Sequence, residues 1–394
     1  MLFDVSLEQA QSIILSKIPA LASEELPLME SFGRVLAADY HASHNLPLQA
    51  RSAVDGYALA MDEAPAGSSF RLIDTPSSDD KVISGDQAIF VTTGGSLPRG
   101  TQAVVPHEKT LLQDGKINVL EIIKPGANIK TSGEDYQEGE ILVTGGTPID
   151  AGVVAILAAF GYSQVKVRLR PRAAVLALGN NIVPFQLSPG PDQLRDSNGP
   201  MLAALIAQDG GDAVSVEVAD SIGSAEVILQ RLLSQADVVI CTGGTYAQGT
   251  DEARQVLESL GVDLFYWGVP IQPGSHHGAG RHGSTLVLAL SGNPAACAVS
   301  YHLFAAPVWR SLLGLSPQQQ LVQAKCTNGF AKKSGSRRFV RGYAGYVDGS
   351  WQVEVLPGQK PSMLKSLLNC NALIDLPAGT PAVGIDEEVT IWLL

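Results

Sequence analysis

At 394 residues, the chain is too long for one compact hydrophobic core, and its length predicts roughly two to four domains. Its 45% hydrophobic and 17% charged residues are typical of a folded globular protein and exclude a disordered chain. The net charge of −12 argues against nucleic-acid binding. No run reaches the roughly 18 apolar residues of a membrane span, and Met1–Val5 lacks the basic flank of a signal peptide. We therefore expect a cytoplasmic protein without nucleic-acid or membrane partners.

The first part of the chain, residues 1–46, together with residues 127–169, predicts a split helical and linker domain. Ser6-Leu7-Glu8-Gln9 has the form of a capping box and opens a helix. A second short helix is predicted over Glu25–Phe32, and an apolar helix over Ala151–Phe160.

Residues 47–126 change to short β-type runs broken by glycine and proline, which predicts a small inserted β domain. Asp114-Gly115 is a hairpin signal within it. Strands are predicted at Phe70–Ile73, Gln87–Val91, Ala103–Pro106 and Ile117–Ile122. By composition alone, Asp55 before Gly56 is typical of a turn. The acids around Asp135 are typical of a solvated loop.

Residues 170–316 alternate apolar runs with helical stretches, a pattern that predicts a doubly wound α/β domain with a parallel sheet. Strands are predicted at Ala173–Ala177, Ala213–Val218, Val238–Cys241, Val262–Tyr266 and Thr285–Leu290. Helices are predicted to begin near Asn198, Ser224, Asp251 and Ala295.

Ligands of such sheets bind beyond the carboxyl ends of the strands. This rule selects four loops: Leu178–Asn181, Thr242–Asp251, Gln272–Gly274 and Ser291–Pro294. The second contains Gly243-Gly244 and leads into a helix, a combination that suits an anion. The fourth offers N–H groups to a phosphate or pterin, or is simply a strand-to-helix turn.

Histidines and cysteines give no firm metal signal. The glycines around His276, His277 and His282 favour a mobile loop over a zinc site. The four cysteines are far apart in the sequence and form no CxxC pair, so we expect buried thiols.

The tail, residues 317–394, predicts a C-terminal β domain without a catalytic constellation. Asp348-Gly349 is a hairpin signal between β-type runs, and Val389–Leu394 is predicted as the closing strand. A short helix is predicted over Ser362–Cys370.

Taken together and in order, several motifs are similar to those of the MoeA and gephyrin E-domain family over nearly the whole chain. Each motif alone is weak, whereas the ordered set is specific. The matching segments are Ser52–Ala58, Thr93–Pro98, Val104–Glu108, Ser132–Asp135, Asp196–Asn198, Gly243-Gly244 with Asp251, and Ser291–Pro294.

The resemblance implies a function in molybdenum cofactor biosynthesis: insertion of molybdate into adenylylated molybdopterin with release of AMP, assisted by Mg²⁺. It implies a MoeA-like fold in which the α/β domain binds molybdopterin and is joined by helical and β-rich domains. It also implies an elongated homodimer with its site in a cleft between subunits, and other cofactor-synthesis proteins as further partners.

Carried over by position, the family's acids match Asp55, Asp135, Asp220 and Asp251 as catalytic residues, with Asp220 and Asp251 as Mg²⁺ ligands. Asp220 and Asp251 equally fit helix N-terminal acids. The cofactor-binding positions implied are Thr93, Asn181, Gly243, Gly244, Gln272, Pro273, Gly274, Ser291, Gly292, Asn293 and Pro294. These segments are distant in sequence, so the resemblance requires them to converge on one interdomain cleft.

The chain departs from the family pattern in its charges. Asn180 and Asn181 replace two acids, and Tyr246 and Gly249 replace a serine and an acid of the glycine-rich turn. Three family lysines are also missing, at Gly268, Gln272 and Ser275. A lysine about 4 Å from a phosphate contributes about 4 kcal/mol of attraction at an effective dielectric near 20, so their loss is substantial.

Two hypotheses follow from these departures. In the first, the chain is a divergent molybdopterin molybdenumtransferase in which Mg²⁺ and arginines replace the lysines; Arg195, Arg254, Arg281 and Arg341 are the candidates. In the second, it is a catalytically impaired paralogue that keeps the fold and dimer and acts as a binding or assembly partner in cofactor synthesis, or handles a related nucleotide-linked ligand.

Overall fold

The structure is a computed structural model that describes residues 1–18, 21–61, 63–74, 82–245 and 251–394. Its strands form a seven-stranded sheet, two six-stranded sheets and several two-stranded pairs. Within these ranges, no helix is long and apolar enough to cross a membrane.

The N-terminal segment packs on the α/β domain. It consists of strand β1 (Leu2–Phe3) and helix α1 (Leu7–Leu15). The predicted capping box is present, because Ser6 Oγ accepts from Gln9 N–H at 3.1 Å and Gln9 Oε1 accepts from Ser6 N–H at 3.0 Å. Leu7 and Ile14 are buried in the α/β core. The sequence-based boundary assigns residues 1–46 to the split domain, whereas these contacts are with the α/β sheet.

The next segment contains β2 (Ser23–Pro27), a 3₁₀ turn (Leu28–Glu30) and β3 (Tyr40–His41). The helix predicted over Glu25–Phe32 is therefore wrong. Leu26 and Val165 are partners in an antiparallel ladder that spans Ser23–Pro27. Pairing with a distant strand outweighs the local preference of this segment.

The inserted β domain confirms the predicted change of pattern. Its elements are β4 (Arg51–Ser52), β5 (Gly56–Leu59), β6 (Ser69–Leu72), β7 (Gln87–Val91), β8 (Ala103–Pro106), β9 (Thr110–Gln113) and β10 (Lys116–Val119), with a 3₁₀ turn at His107–Lys109. The six-stranded sheet has the order β8-β5-β7-β6-β10-β9. Asp114 and Gly115 both have positive φ and form the predicted hairpin turn.

The chain then returns to the split domain through β11 (Ile129–Lys130), β12 (Ile141–Val143), helix α2 (Ala151–Ala159) and β13 (Gln164–Arg168). Helix α2 confirms the predicted apolar helix, and Asp150 caps it by accepting from Val153 N–H at 2.9 Å. Strands β12 and β13 pair with β3 and β2, so the two halves of this domain are joined by short ladders.

The α/β domain follows the predicted alternation. Its elements are β14 (Arg172–Leu178), β15 (Ile182–Val183), β16 (Leu194–Arg195), α3 (Asn198–Gln208), β17 (Asp212–Ala219), α4 (Ile222–Leu232), β18 (Val238–Gly243), α5 (Glu252–Ser259), β19 (Asp263–Trp267), β20 (Ile271–Gln272), β21 (Gly278–His282), β22 (Thr285–Leu290), α6 (Pro294–Ser300), a π-helical segment (Tyr301–Ala305) and α7 (Ala306–Leu312). The sheet order is β1-β19-β21-β22-β18-β14-β17, and β18 is parallel to both β14 and β22.

The histidine-rich segment is a loop only in part: His276 and His277 precede strand β21, whereas His282 ends it, so the predicted loop does not extend over all three histidines. β21 lies between β19 and β22 and is antiparallel to both. His277 immediately before it is fully buried: Nδ1 lies 2.8 Å from the hydroxyl of Tyr266, and the imidazole stacks on Phe304. Among the described residues, no group of three His, Cys, Asp or Glu side chains is placed to hold a metal ion.

The C-terminal domain is a small closed barrel. It contains β23 (Leu321–Cys326), β24 (Arg337–Val347), β25 (Ser350–Val355), β26 (Ala372–Leu376) and β27 (Glu387–Leu393). The order β24-β25-β23-β27-β26 closes because β24 also pairs with β26. The helix predicted over Ser362–Cys370 is reduced to a 3₁₀ turn at Lys365–Leu367. Strand β20 of the α/β domain pairs in parallel with the start of β24, which joins the two domains through a β ladder.

Candidate functional site

The loops after β14, β18 and β22 meet because these three strands are neighbours in the sheet. Gly243 has a φ of +87°, and a Cβ atom there would lie 2.3 Å from the carbonyl oxygen of Leu178. A Cβ atom at Gly292 would lie 2.9 Å from Gly243 Cα. Glycine is therefore required at both positions, so that the backbones approach closely.

Asn198 fixes the spacing of these loops from the start of α3. Its Nδ2 donates to Thr242 Oγ1 at 3.0 Å and to the carbonyl oxygen of Gly292 at 2.8 Å. Thr242 Oγ1 in turn donates to the carbonyl oxygen of Ser291 at 3.0 Å. The sequence shows Asp196-Ser197-Asn198 as a motif without assigning it a role, and the structure gives Asn198 a positioning role.

Asp196 belongs to the same buried network. Its Oδ1 accepts from Gly199 N–H at 2.9 Å, and burial raises the pKa of its carboxyl group. The side chain thereby holds the first turn of α3, on which Asn198 lies.

Asp251 is the N-cap of α5. One carboxylate oxygen accepts from Arg254 N–H at 3.2 Å, and the other accepts from Trp267 Nε1 at 2.6 Å. Burial raises the pKa of this carboxyl group above its usual value. The structure thus bears out the helix-cap alternative for Asp251. The rest of the glycine-rich turn, including Tyr246 and Gly249, lies outside the described residues.

Asp220 is exposed and precedes α4, whose N-cap is Ser221 rather than Asp220. Its Oδ1 accepts from Ser224 Oγ at 2.9 Å and Ser221 Oγ at 3.2 Å, and these hydrogen bonds lower the pKa of the carboxyl group. Asn181, after β14, is also exposed.

The Gln272-Pro273-Gly274 loop follows β20, and Gln272-Pro273 is a cis peptide. A Cβ atom at Gly274 would lie 2.4 Å from Ser300 Oγ of α6. The loop therefore packs directly on the helix that follows Ser291-Gly292-Asn293. The side chain of Gln272 is exposed, and its Oε1 accepts from Arg338 Nη2 at 2.6 Å.

Asp55 and Thr93 form a second cluster, in the inserted β domain. Asp55 Oδ1 accepts from Thr93 N–H at 2.6 Å and from Thr93 Oγ1 at 3.0 Å, and these hydrogen bonds lower the pKa of Asp55. Asp135 is exposed, and its N–H donates to the carbonyl oxygen of Leu46 at 3.0 Å. Within the residues described, no hydrogen bond or ion pair links these side chains to the α/β loops. Asp55, Asp135, Asp220 and Asp251 therefore share no hydrogen-bond partner among the described residues.

Arg341 on β24 is buried, with 1% of its surface exposed. Its Nε donates to Ser366 Oγ at 2.7 Å and its Nη2 to the carbonyl oxygen of Gly358 at 3.2 Å, whereas Nη1 is buried without a partner. Among the described residues, no carboxylate lies within ion-pair distance of this guanidinium. Burial lowers its pKa to about 10.

The Arg341 site adjoins the α/β loops through the segment that holds it. This segment includes Lys360 and Pro361, and the carbonyl oxygen of Pro361 accepts from Ala295 N–H of α6 at 3.0 Å. Ala295 lies two residues after Asn293. Sequence analysis names Arg341 only among possible lysine substitutes, since its burial depends on the distant Gly358 and Ser366. A buried guanidinium without a carboxylate beside backbone-lined loops is suited to a bound oxyanion.

These features define a multidomain protein whose α/β domain has a candidate ligand site at its strand ends, bordered by a C-terminal barrel. Family models match the chain in the same order. The MoeA N-terminal region (domain I and II) matches residues 5–161, a probable molybdopterin binding domain matches residues 174–311, and the MoeA C-terminal region (domain IV) matches residues 323–394. The chain belongs to the MoeA family, as its sequence predicts.

Individual relatives agree over the full length. A protein of Bacillus subtilis named molybdopterin molybdenumtransferase is 31% identical, covering 94% of this chain and 90% of its own. A protein of the same name from Staphylococcus epidermidis is 29% identical, and the match covers 95% of this chain and 92% of that protein. The crystal structure of the molybdopterin biosynthesis MoeA protein of Pyrococcus horikoshii superimposes with a TM-score of 0.85 at 26% identity, over 99% of both chains.

Proposed function

We propose that this chain acts in molybdenum cofactor biosynthesis by inserting molybdenum, supplied as molybdate, into adenylylated molybdopterin. The pyrophosphate linkage of that substrate is broken and AMP leaves. The names of the full-length relatives and the molybdopterin-binding match to residues 174–311 support this activity. The alternative, an impaired paralogue used only for binding or assembly, gains no support from these relatives.

The observation that carries the proposal is the buried guanidinium of Arg341. Since its Nη1 has no partner and no described carboxylate neutralises it, an oxyanion such as molybdate completes its interactions. This arginine retains a cation beside the site although Gly268, Gln272 and Ser275 carry none.

The backbone of the three strand-end loops supplies the rest of the binding surface. We assign molybdopterin and its phosphates to the loops that contain Gly243-Gly244, Gln272–Gly274 and Ser291–Pro294. The glycines let these loops pack closely on neighbouring backbone and on α6, and Asn198 holds two of the loops at a fixed distance. Asp251 positions the start of α5 through its cap and its bond to Trp267.

The assignment of Asp220 and Asp251 as Mg²⁺ ligands stays a prediction. Asp251 uses both oxygens within the protein, and Asp220 is held by two serines. Three candidate ligands do not come together in the part of the chain that is described. Any Mg²⁺ held by Asp220 or Asp251 would need further oxygen ligands, such as substrate phosphates.

The Asp55 and Thr93 cluster contributes to the site in a homodimer. No hydrogen bond or ion pair among the described residues of one chain links this cluster to the α/β loops. We therefore infer that a partner subunit brings its own Asp55 and Asp135 to the site. Mixed dimers test this inference. Asp55→Ala and Arg341→Met chains, each inactive alone, are expected to regain about a quarter of wild-type activity after co-refolding, since half of the dimers then hold one intact site. Recovery of no activity from verified mixed dimers would contradict the shared site.

The activity itself is tested by incubating purified protein with adenylylated molybdopterin and molybdate and measuring AMP. We expect AMP release that depends on molybdate, is abolished in Arg341→Met and is kept in Lys332→Gln, an exposed cation of the same barrel. No AMP from folded wild-type protein that also fails to bind molybdopterin would reject the transferase.

A further inference from the structure

We propose that Arg338 is a second anion-binding residue of this site, held at the Gln272-Pro273-Gly274 loop to contact an oxyanion of the substrate, either phosphate or molybdate. The identity of that anion rests on the proposed function. The presence of an anion site at Arg338 rests on the following geometry.

Arg338 lies at the junction of two domains. Gln272 of β20 and Arg338 of β24 are Cα partners in the parallel ladder that joins the α/β domain to the barrel. Arg338 Nη2 donates to Gln272 Oε1 at 2.6 Å, so a backbone pair and a side-chain bond together fix the guanidinium beside this loop. The partner is a neutral, exposed amide, which an anion can join or displace.

Among the described residues, no acidic side chain neutralises the charge of Arg338, whereas two neutralise that of its neighbour Arg337. Arg337 is paired with Asp375, at 2.7 Å, and with Glu8. Over the described ranges, Arg338 forms no ion pair, and its buried Nε has no hydrogen-bond partner. A half-buried guanidinium with one hydrogen bond to a neutral side chain and an unused buried donor is costly unless a ligand uses it.

The guanidinium is stiffly held. It lies over the ring of Phe330, 5.8 Å from the centroid, and β24 is paired on both sides at this point, with Gln272 and with Leu376. An arginine positioned in this way loses little side-chain freedom when it binds an anion.

The loop connects Arg338 to the site described above. Gly274, two residues after Gln272, packs against Ser300 of α6, and Ala295 of the same helix bonds to the segment that holds Arg341. Arg338 and Arg341 lie three positions apart on one strand and so point to opposite faces of β24. They border the loop cluster as two distinct cations, one at Gln272–Gly274 and the other at Ser366.

The test uses the full-length protein and two probes, AMP and molybdate, measured separately by titration calorimetry. Arg338→Gln is expected to weaken at least one probe about tenfold or more, the range of a charge-assisted hydrogen bond. It should also reduce the salt dependence of that binding. The probe that weakens identifies the source of the anion. Lys332→Gln, an exposed charge-matched control, should leave both affinities unchanged.

A rescue variant separates anion binding from a structural role. Gln272→Lys in the Arg338→Gln background returns a cation to the same place and should restore most of the lost affinity. If Arg338→Gln does not fold, Arg338→Lys should fold and keep binding. Unchanged affinity for both probes in Arg338→Gln, failure of the rescue, or absence of binding by wild-type protein would overturn the proposal. Arg338-dependent binding without AMP release would leave the anion site intact and reject only the transferase.

Discussion

The Nδ2 of Asn198 lies 2.8 Å from the carbonyl oxygen of Gly292, although 94 residues separate them in the sequence. The same amide also donates to Thr242, so one side chain holds the loops after β18 and β22 together. Asn198→Ala leaves a part-buried carbonyl without its donor and should lower the free energy of unfolding by about 1–3 kcal/mol. It should also weaken molybdopterin binding.

Urea denaturation measures this change. Asn118→Ala in the inserted domain, which removes a single bond of 3.4 Å, is the matched control and should cost under about 0.5 kcal/mol. Equal losses in the two variants would contradict the role of Asn198.

Arg341→Met should separate stability from activity. Methionine fills a similar volume and removes a buried charge without a carboxylate partner, so the free energy of unfolding should stay constant or rise by about 1 kcal/mol while AMP release is lost. Arg337→Met breaks two ion pairs and should instead lower stability, by about 2 kcal/mol. If Arg341→Met destabilised the protein as much as Arg337→Met, Arg341 would be a structural residue.

Asp251 can be tested by comparing two substitutions. Asp251→Asn keeps an oxygen for Arg254 N–H but places its Nδ2 donor against Trp267 Nε1, so it should cost about 1–2 kcal/mol, whereas Asp251→Ala loses both bonds and should cost about 2 kcal/mol or more. Melting temperature and AMP release are measured together. A stable Asp251→Asn protein without activity would show that the charge itself is needed, and full activity would restrict Asp251 to positioning.

The burial of His277 predicts acid sensitivity. Burial lowers its pKa to about 3, so the imidazole stays neutral in the folded state while the unfolded chain takes up a proton below the usual value of about 6.5. Its contribution to stability is therefore complete above that value and falls as the pH decreases, by about 2 kcal/mol at pH 5. Urea denaturation of wild type and His277→Asn at pH 7.5 and pH 5 should show a smaller pH effect in the variant.

The exposed His107 provides the control for this measurement, because His107→Asn removes a histidine from the surface and leaves the buried His277 in place. An unchanged pH dependence in His277→Asn would assign the acid sensitivity to other groups.

Much of the fold follows from local patterns. The buried strands β14, β18 and β22 are continuous apolar runs followed by turn residues, so both the strands and the loops after them are predictable from sequence. Strands β2 and β21 are not, because Leu26 and Gly280 belong to strands only through partners elsewhere in the sequence.

The site divides in the same way. Gly243 and Gly292 are visible in the sequence because turn chemistry is local, and the structure shows the close approach that requires them. Arg341 and Arg338 look like ordinary residues of an alternating strand, since the lack of an acidic partner for them among the described residues depends on the whole tertiary arrangement. Neither the local sequence pattern nor the contacts within one chain group Asp55 with the α/β loops. This grouping stays a prediction about the dimer.

The ladder between β20 and β24 has a consequence for any shortened version of the protein. An α/β fragment ending before the barrel would keep its glycine loops and its sheet. It would lack the guanidinium groups of Arg338 and Arg341. The edge of β20 that pairs with β24 would be unpaired and could promote aggregation with other chains. Such a fragment would resemble a complete binding domain in shape while lacking two of its cations, so ligand studies need the protein with the barrel attached.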